Sequence, residues 1–428
     1  FDDLSVKMQD IAIVGDKISE IADEIQVESD YTVIDAAGKL ALPGFVDAHT
    51  HMVQTFLKGP LDDYPITEWL IRMFSAQDLM SEEDYYYSVL LGCMQSLRFG
   101  TTTINDMCGY EHIDATIQAF RDSGIRATVG LSATDIEEND KTPVMSIEDA
   151  LFQAEDLYNS YHGIDNGMIR TAVAPPGLPA CTEGLMQALK KFADERGLVF
   201  HCHLAEGKKE TLDVMQRTGC RGEAEVLYRA GLLAPNTLLA HSIWLEDFEL
   251  DLIKECGANP VHCPNTNMKI SDGIPKIQAM LERGINVAMG CDGEASSSTR
   301  DMIREGRAGA YLQKGVTLNP KAMDAGTTFK MMTRNGAKAL GYEELGYLKK
   351  GYKADIVLVD MSKDISLTNR GYRIGNLLYA GTGHAVHTVF CNGRLIISGG
   401  VNVRSNEEKI LAKAEELLAK LNRRTEMM

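Results

Sequence analysis

Between residues 44 and 345 one pattern recurs eight times: a short extended run, then a helical stretch. The runs are Gly44–His49, Thr101–Asp106, Arg126–Leu131, Ile169–Ala174, Leu198–Leu204, Thr237–His241, Asn259–Cys263 and Ile285–Asp292. They are apolar or β-branched and bounded by turn residues, which marks strands. Ser81-Glu82-Glu83-Asp84 caps a helix running to Arg98, and Thr182–Glu195, Gly222–Ala230 and Pro275–Arg283 carry the same periodicity. Eight βα repeats predict an α/β fold of the (β/α)8 TIM-barrel type. An open doubly wound sheet is the competing arrangement. The count of eight, and the lack of a G-x-G-x-x-G after any strand, weigh against it.

The flanks read differently. Ile11–Val14, Ile18–Ile21 and Tyr31–Ile34 look like short strands, broken at Gly15-Asp16, Glu28-Ser29-Asp30 and Ala37-Gly38. Ala354–Val359, Thr388–Phe390 and Leu395–Ile397 repeat that style, with Asn392-Gly393 as a hairpin turn. A helix pair, Asp301–Lys314 and Thr327–Leu340, follows the eighth run. Residues 406–423 form a charged terminal helix with Ile410, Leu411, Ala414, Leu417, Leu418 and Leu421 on one face, which predicts docking onto the body.

Composition narrows the function. Among 428 residues, 43 Lys and Arg stand against 61 Asp and Glu, a net charge of −18. Phosphate backbones and anionic membranes both need clustered cations, so neither nucleic acid nor a membrane surface is an expected partner. No run is long and apolar enough to span a bilayer. Phe1-Asp2-Asp3-Leu4 carries no signal-peptide pattern. The nine cysteines are scattered and never in CxxC spacing, which suggests reduced thiols in a cytoplasmic protein.

The chemistry sits at the strand ends. Run one closes with His49-Thr50-His51, two imidazoles on one face of a strand, aimed at the C-terminal mouth where barrel active sites lie. Run five ends His201-Cys202-His203-Leu204-Ala205-Glu206, run six at His241 and run eight at Asp292. Five of the ten histidines thus stand at the ends of three strands. Three imidazoles and one carboxylate suit a divalent metal, zinc or iron(II), with a position left for water. Such a metal brings the pKa of its water from 15.7 to roughly 7. A carboxylate off the metal then moves the proton, and Glu206 is placed for that. A solvated loop charge beside Lys208 and Lys209 is its other reading.

These motifs resemble the amidohydrolase superfamily over nearly the whole chain. Its pattern of H-x-H on strand one, a His on strand five, a His on strand six and an Asp on strand eight is present in order. Gly346 to Asp355 resembles the family's return into a small β-domain built from both termini. The resemblance implies a barrel over 44–345, and a small β-sandwich from 1–43 and 346–428 that also carries the terminal helix. Binuclear members carry a strand-four lysine, and Ile169–Ala174 has none, which implies one metal. Two segments, His49–Gly59 continuing to Leu70 and Asn265–Ile274, are similar to the branch of S-adenosylhomocysteine/methylthioadenosine deaminases and triazine chlorohydrolases and aminohydrolases.

Carried over by position, His49, His51, His203 and Asp292 would bind the metal, and Glu206 would shuttle protons. Asp292 would also serve catalysis, and His241 would polarise the leaving centre or hold the attacking water. His203 is preferred to His201 because the family ligand lies three residues before the Glu. Gln54 and Gln77 resemble the triazine-type members, and Trp69 is a candidate to stack on a planar substrate. Cys181 lines the pocket or packs. Glu294 stands where a small residue is expected, so it binds an amino-bearing substrate or faces solvent. No arginine lies between Arg126 and Arg170, which disfavours adenosylhomocysteine. Asn265 and Asn267 are expected to fix their loop by side-chain turns, and His262 to be a core or supporting residue. The implied activity is hydrolytic deamination of an amino-substituted N-heterocycle with release of ammonia. Chloride, an alkylamine or a cyclic amide is the alternative leaving group, and a non-catalytic barrel scaffold is the remote one. A homo-oligomer is compatible with this fold type.

Overall fold

A computed structural model describes residues 4–27, 30–137, 143–362, 365–367 and 370–425. Phe1–Asp3 and the turn residues Glu28 and Ser29 lie outside these. Seven continuous parallel strands are Phe45–His51, Thr101–Cys108, Arg126–Leu131, Ile169–Val173, Phe200–Leu204, Thr237–His241 and Asn259–His262. Each pairs with the next in chain order. All are almost wholly buried, as expected of strands packed on both faces.

The eighth strand differs from expectation because it is broken. Ala288–Met289 pairs with strand seven, while Asp292–Gly293 pairs with strand one, Asp292 opposite Thr50 and Gly293 opposite His51. The two pieces together join the edges of the curled parallel sheet, giving the barrel-type architecture. Gly290 lies between them. A Cβ there would sit 3.0 Å from the His49 carbonyl oxygen, so any larger residue would have to push strand one away.

The helices follow their sequence signals. Ser81 and Asp84 form a reciprocal capping box on helix Glu82–Arg98. Thr182 caps Glu183–Arg196, and Asp301 caps Met302–Thr317. The terminal helix Glu407–Thr425 buries Ala414, Leu417 and Leu421 and docks on Glu82–Arg98, where Lys413 reaches Glu83 at 3.0 Å. Leu411, expected on the docked face, is exposed.

The termini build a separate antiparallel sheet. Its order runs Val401–Asn402, Arg394–Ser398, Val386–Cys391, Ile356–Asp360 and Lys39–Pro43. Tyr31–Ile34 is not a strand: Tyr31 and Val33 are exposed, with no neighbour to cover them. Lys39–Pro43 takes the place beside Ile356–Asp360. Asn392 and Gly393 have φ of 51° and 75°, which fits the expected two-residue hairpin turn. A hairpin of Asp10–Val14 and Lys17–Ala22 buries Ile18 in a small cluster with Ala354, Ile356 and Leu358. Arg126, from the third barrel strand, ties this unit on through Asp355 at 3.1 Å and Asn392 at 3.0 Å.

Candidate metal centre

The strand ends bring four imidazoles and a carboxylate together. The ring centroid of His49 lies 4.9 Å from those of His51 and His203 and 5.3 Å from that of His241. Asp292 Oδ1 stands 3.2 Å from His49 Nε2 and 3.4 Å from His51 Nε2. Candidate ligand atoms of His49, His51 and His203 all lie within 4.8 Å of one another. The same holds for His49, His241 and Asp292.

Outer partners turn each ring. His51 Nδ1 donates to the Met107 carbonyl at 2.8 Å, and His203 Nδ1 to that of Pro176 at 2.6 Å. His241 Nδ1 donates to Asn267 Oδ1 at 2.9 Å. A proton on Nδ1 leaves Nε2 with its lone pair, the state a metal ligand needs. Asn267 therefore orients a site histidine, where an Asx-type turn was expected. His49 Nδ1 meets His201 Nε2 at 3.0 Å, and His201 Nδ1 meets Asn105 Nδ2 at 3.0 Å. Both nitrogens of His201 are thus engaged beneath the cluster, while Nε2 of His203 remains open to it.

Burial disfavours the charged form of His49, His51, His201 and His203. It lowers the His49 pKa to about 4, and it holds His201 and His203 well below the ordinary imidazole value. Burial opposes the charge of Asp292, yet the His49 hydrogen bond and the surrounding imidazoles hold its carboxyl well below the usual range. Glu206 goes the other way: burial, then the Asp292 charge, raise it well above an ordinary glutamate. Its Oε1 lies 3.4 Å from His241 Nε2. Asp272 hydrogen-bonds to Glu206, and burial followed by the Glu206 charge raises it to about 9. Asp272 is absent from the sequence-derived site; only its place in Asn265–Ile274 hints at it.

The backbone is strained here. Ala205, His241, Ser242 and Asp292 are non-glycine residues with φ between 48° and 67°, a conformation that persists where surroundings enforce it. The fully buried Nε2 atoms of His49 and His241 each face only a carboxylate oxygen, Asp292 Oδ1 at 3.2 Å and Glu206 Oε1 at 3.4 Å. The converging imidazoles and the Asp292 carboxylate are a donor set that fits a divalent cation at their centre.

The remaining expected residues separate. Gln54 is buried against Gly293, where a Cβ would fall 1.7 Å from its Oε1. Trp69 is buried on helix Ile66–Gln77, with Nε1 unpartnered. Gln77 donates to Tyr85 Oη at 2.9 Å. Cys181 is fully buried, its thiol 3.3 Å from the Ala133 carbonyl, which favours packing. Glu294 neither faces solvent nor opens to a ligand: it is fully buried against Lys58, Gln95 and Arg300. Asn265 bonds Glu305 at 2.7 Å. His262 is a buried core residue.

The chain is similar over nearly its whole length to several deaminases. A 5′-deoxyadenosine deaminase of Methanosarcina mazei is 34% identical over 97% of this chain and 95% of its own length. A 5-methylthioadenosine/S-adenosylhomocysteine deaminase of Carboxydothermus hydrogenoformans is 35% identical over 96% of this chain and 94% of its own. The crystal structure of an adenosine deaminase from Xanthomonas campestris with bound zinc superposes with a TM-score of 0.90. It shares 26% identity, over 97% of this chain and 94% of that one. The amidohydrolase family model matches residues 40–396, and the chain belongs to that family.

Proposed function

We propose that this chain is a mononuclear metal-dependent aminohydrolase that removes the exocyclic amine of a purine nucleoside with a small or absent 5′ substituent. The convergence of four imidazoles and the Asp292 carboxylate beside Glu206, whose ionisation burial opposes, carries the reading. The activities named for the relatives support it. His49, His51, His203 and Asp292 hold one ion, zinc first and iron(II) second. Such an ion, when bound, would supply a water acidic enough to act as a nucleophile at neutral pH.

The side chains do the rest. Glu206, its proton favoured by burial, donates to the ring nitrogen next to the amino-bearing carbon. Asp292 accepts the proton of the attacking water. His241, anchored on Asn267, steadies that water. The proton held by Asp292 then passes to the amine, the C–N bond breaks to release ammonia, and the new hydroxyl returns its proton to Glu206, leaving a keto product. Gln54, Trp69 and Gln77 contact the substrate. The lack of arginine between Arg126 and Arg170 disfavours an amino-acid tail.

The reading extends to organisation. Residues 44–345 act as the barrel domain, and 1–43 with 346–428 as a small β-sandwich whose second layer is the hairpin over Ile18. Among the described residues no helix is long and apolar enough to cross a membrane. The nine free thiols suit the cytoplasm. Assembly as a homo-oligomer is open to sizing in solution.

Ammonia release by metal-loaded protein tests the activity, across 5′-deoxyadenosine, methylthioadenosine, adenosine, adenosylhomocysteine, guanine, 8-oxoguanine, cytosine, pterins and melamine. Turnover of the 5′-trimmed adenosines above the others is expected. Silence across the panel, with metal bound, overturns the reading.

A further inference from the structure

Glu294 and Arg300 are fully buried charges next to the candidate centre, and neither touches solvent. Glu294 accepts from Lys58 Nζ at 2.9 Å and Gln95 Nε2 at 3.2 Å, and stands 3.8 Å from Arg300 Nε. Arg300 spends its other donors on two strand ends. Nη1 donates to the Asp292 carbonyl oxygen at 2.6 Å and to the Thr50 hydroxyl; Nη2 donates to the His51 carbonyl oxygen at 3.3 Å. Thr50 Oγ1 donates to that same Asp292 carbonyl at 3.2 Å.

These contacts lie on the seam where strand eight meets strand one. The ladder there is two residues long and follows a break. Asp292 also has φ of 61°, unusual for an aspartate. Two backbone pairs offer little to hold such a residue in register. A guanidinium spans the gap because its planar fork carries donors in two directions, which an ammonium on one stem does not. Burying that cation requires counter-charge, and Glu294, which it shares with Lys58, supplies part of it beside Asp47 and Asp106.

We propose that Arg300, paired with Glu294, is a positioning residue that holds the seam so that His51 and Asp292 keep their metal-binding separation. This rests on the reading of those two residues as ligands. It predicts that the pair governs metal retention and turnover and leaves substrate affinity nearly unchanged.

The test uses full-length Arg300→Lys, Arg300→Met and Glu294→Gln, with Leu417→Ala on the terminal helix as a stability control. Zinc affinity is read by chelator competition, melting on metal-free protein, and kcat and KM by ammonia release. Arg300→Lys should fold and bind zinc about 10–100-fold more weakly, the scale of outer-partner effects. Its kcat should fall with KM within about twofold; Glu294→Gln should do the same to a lesser degree, and Leu417→Ala should keep parental zinc affinity. If Arg300→Met does not fold, the Lys and Gln variants decide. Parental zinc affinity and kcat in both overturn the inference, as does an equal loss of zinc affinity in Leu417→Ala. His51→Ala separates the two readings. Parental zinc binding there removes the ligand assignment itself, whereas lost binding there with unchanged Arg300 variants removes the seam role alone.

Discussion

Burial and the charge of Asp292 both resist ionisation of Glu206 and outweigh its hydrogen bond with Asp272, which favours the ionised form. Glu206→Gln keeps shape and removes the proton. It should retain one metal per chain and lose about 10²–10⁴-fold in kcat, the usual size of a general acid–base contribution. Metal analysis beside steady-state rates checks it, and unimpaired turnover would remove Glu206 from the mechanism. The two histidines of strand five make a sharper pair. His203 presents Nε2 to the cluster, so His203→Ala should abolish stoichiometric metal. His201 touches the cluster only through His49 Nδ1. His201→Asn should therefore still bind metal, about 10–100-fold more weakly. Reversal of that order, read by chelator titration, would make His201 the ligand.

Local signals decide how much of an element can be read from sequence. The capping box at Ser81 was legible because its chemistry is contained in four residues. Ser81→Ala should lower stability by about 1 kcal/mol, read as a drop in melting temperature, with kcat unchanged. A loss of activity without a loss of stability would give this helix a further role. His49, His51, His203, His241 and Asp292 were legible for the same reason, since each ends a strand with a clear pattern. Tyr31–Ile34 misleads because β-branched content states a preference without supplying a neighbour to bury it. The break in strand eight depends on how closely Gly290 passes His49, which is a tertiary fact. Asp272 and Arg300 are equally silent in sequence. Each acts across loops that only the closed barrel brings together: Asp272 on Glu206, Arg300 on His51 and Asp292.

At the scale of the whole molecule, an acidic chain carries some acids where water cannot reach them. Glu223 is one: it accepts from the Thr211 hydroxyl at 2.8 Å and the Ala205 amide at 3.3 Å, close behind the strand-five loop. Burial, with the charges of Glu249 and Glu210, raises its pKa from 4.5 to about 7. Between these values the folded chain holds a proton that the unfolded chain has released. Folding is therefore favoured on the acid side, and that advantage is lost as pH rises from about 4.5 through about 7. At 1.36 kcal/mol per unit, the shift amounts to about 3 kcal/mol from this one group. Glu223→Gln cannot ionise and still offers an oxygen to the Ala205 amide and a nitrogen to Thr211. Its unfolding free energy should change less between pH 5 and 8 than the parent's, and it should gain relative to the parent at pH 8. Denaturant titrations at several pH values measure this. Parallel curves for the two proteins would mean that Glu223 is ionised in the fold and that its environment stabilises the charge.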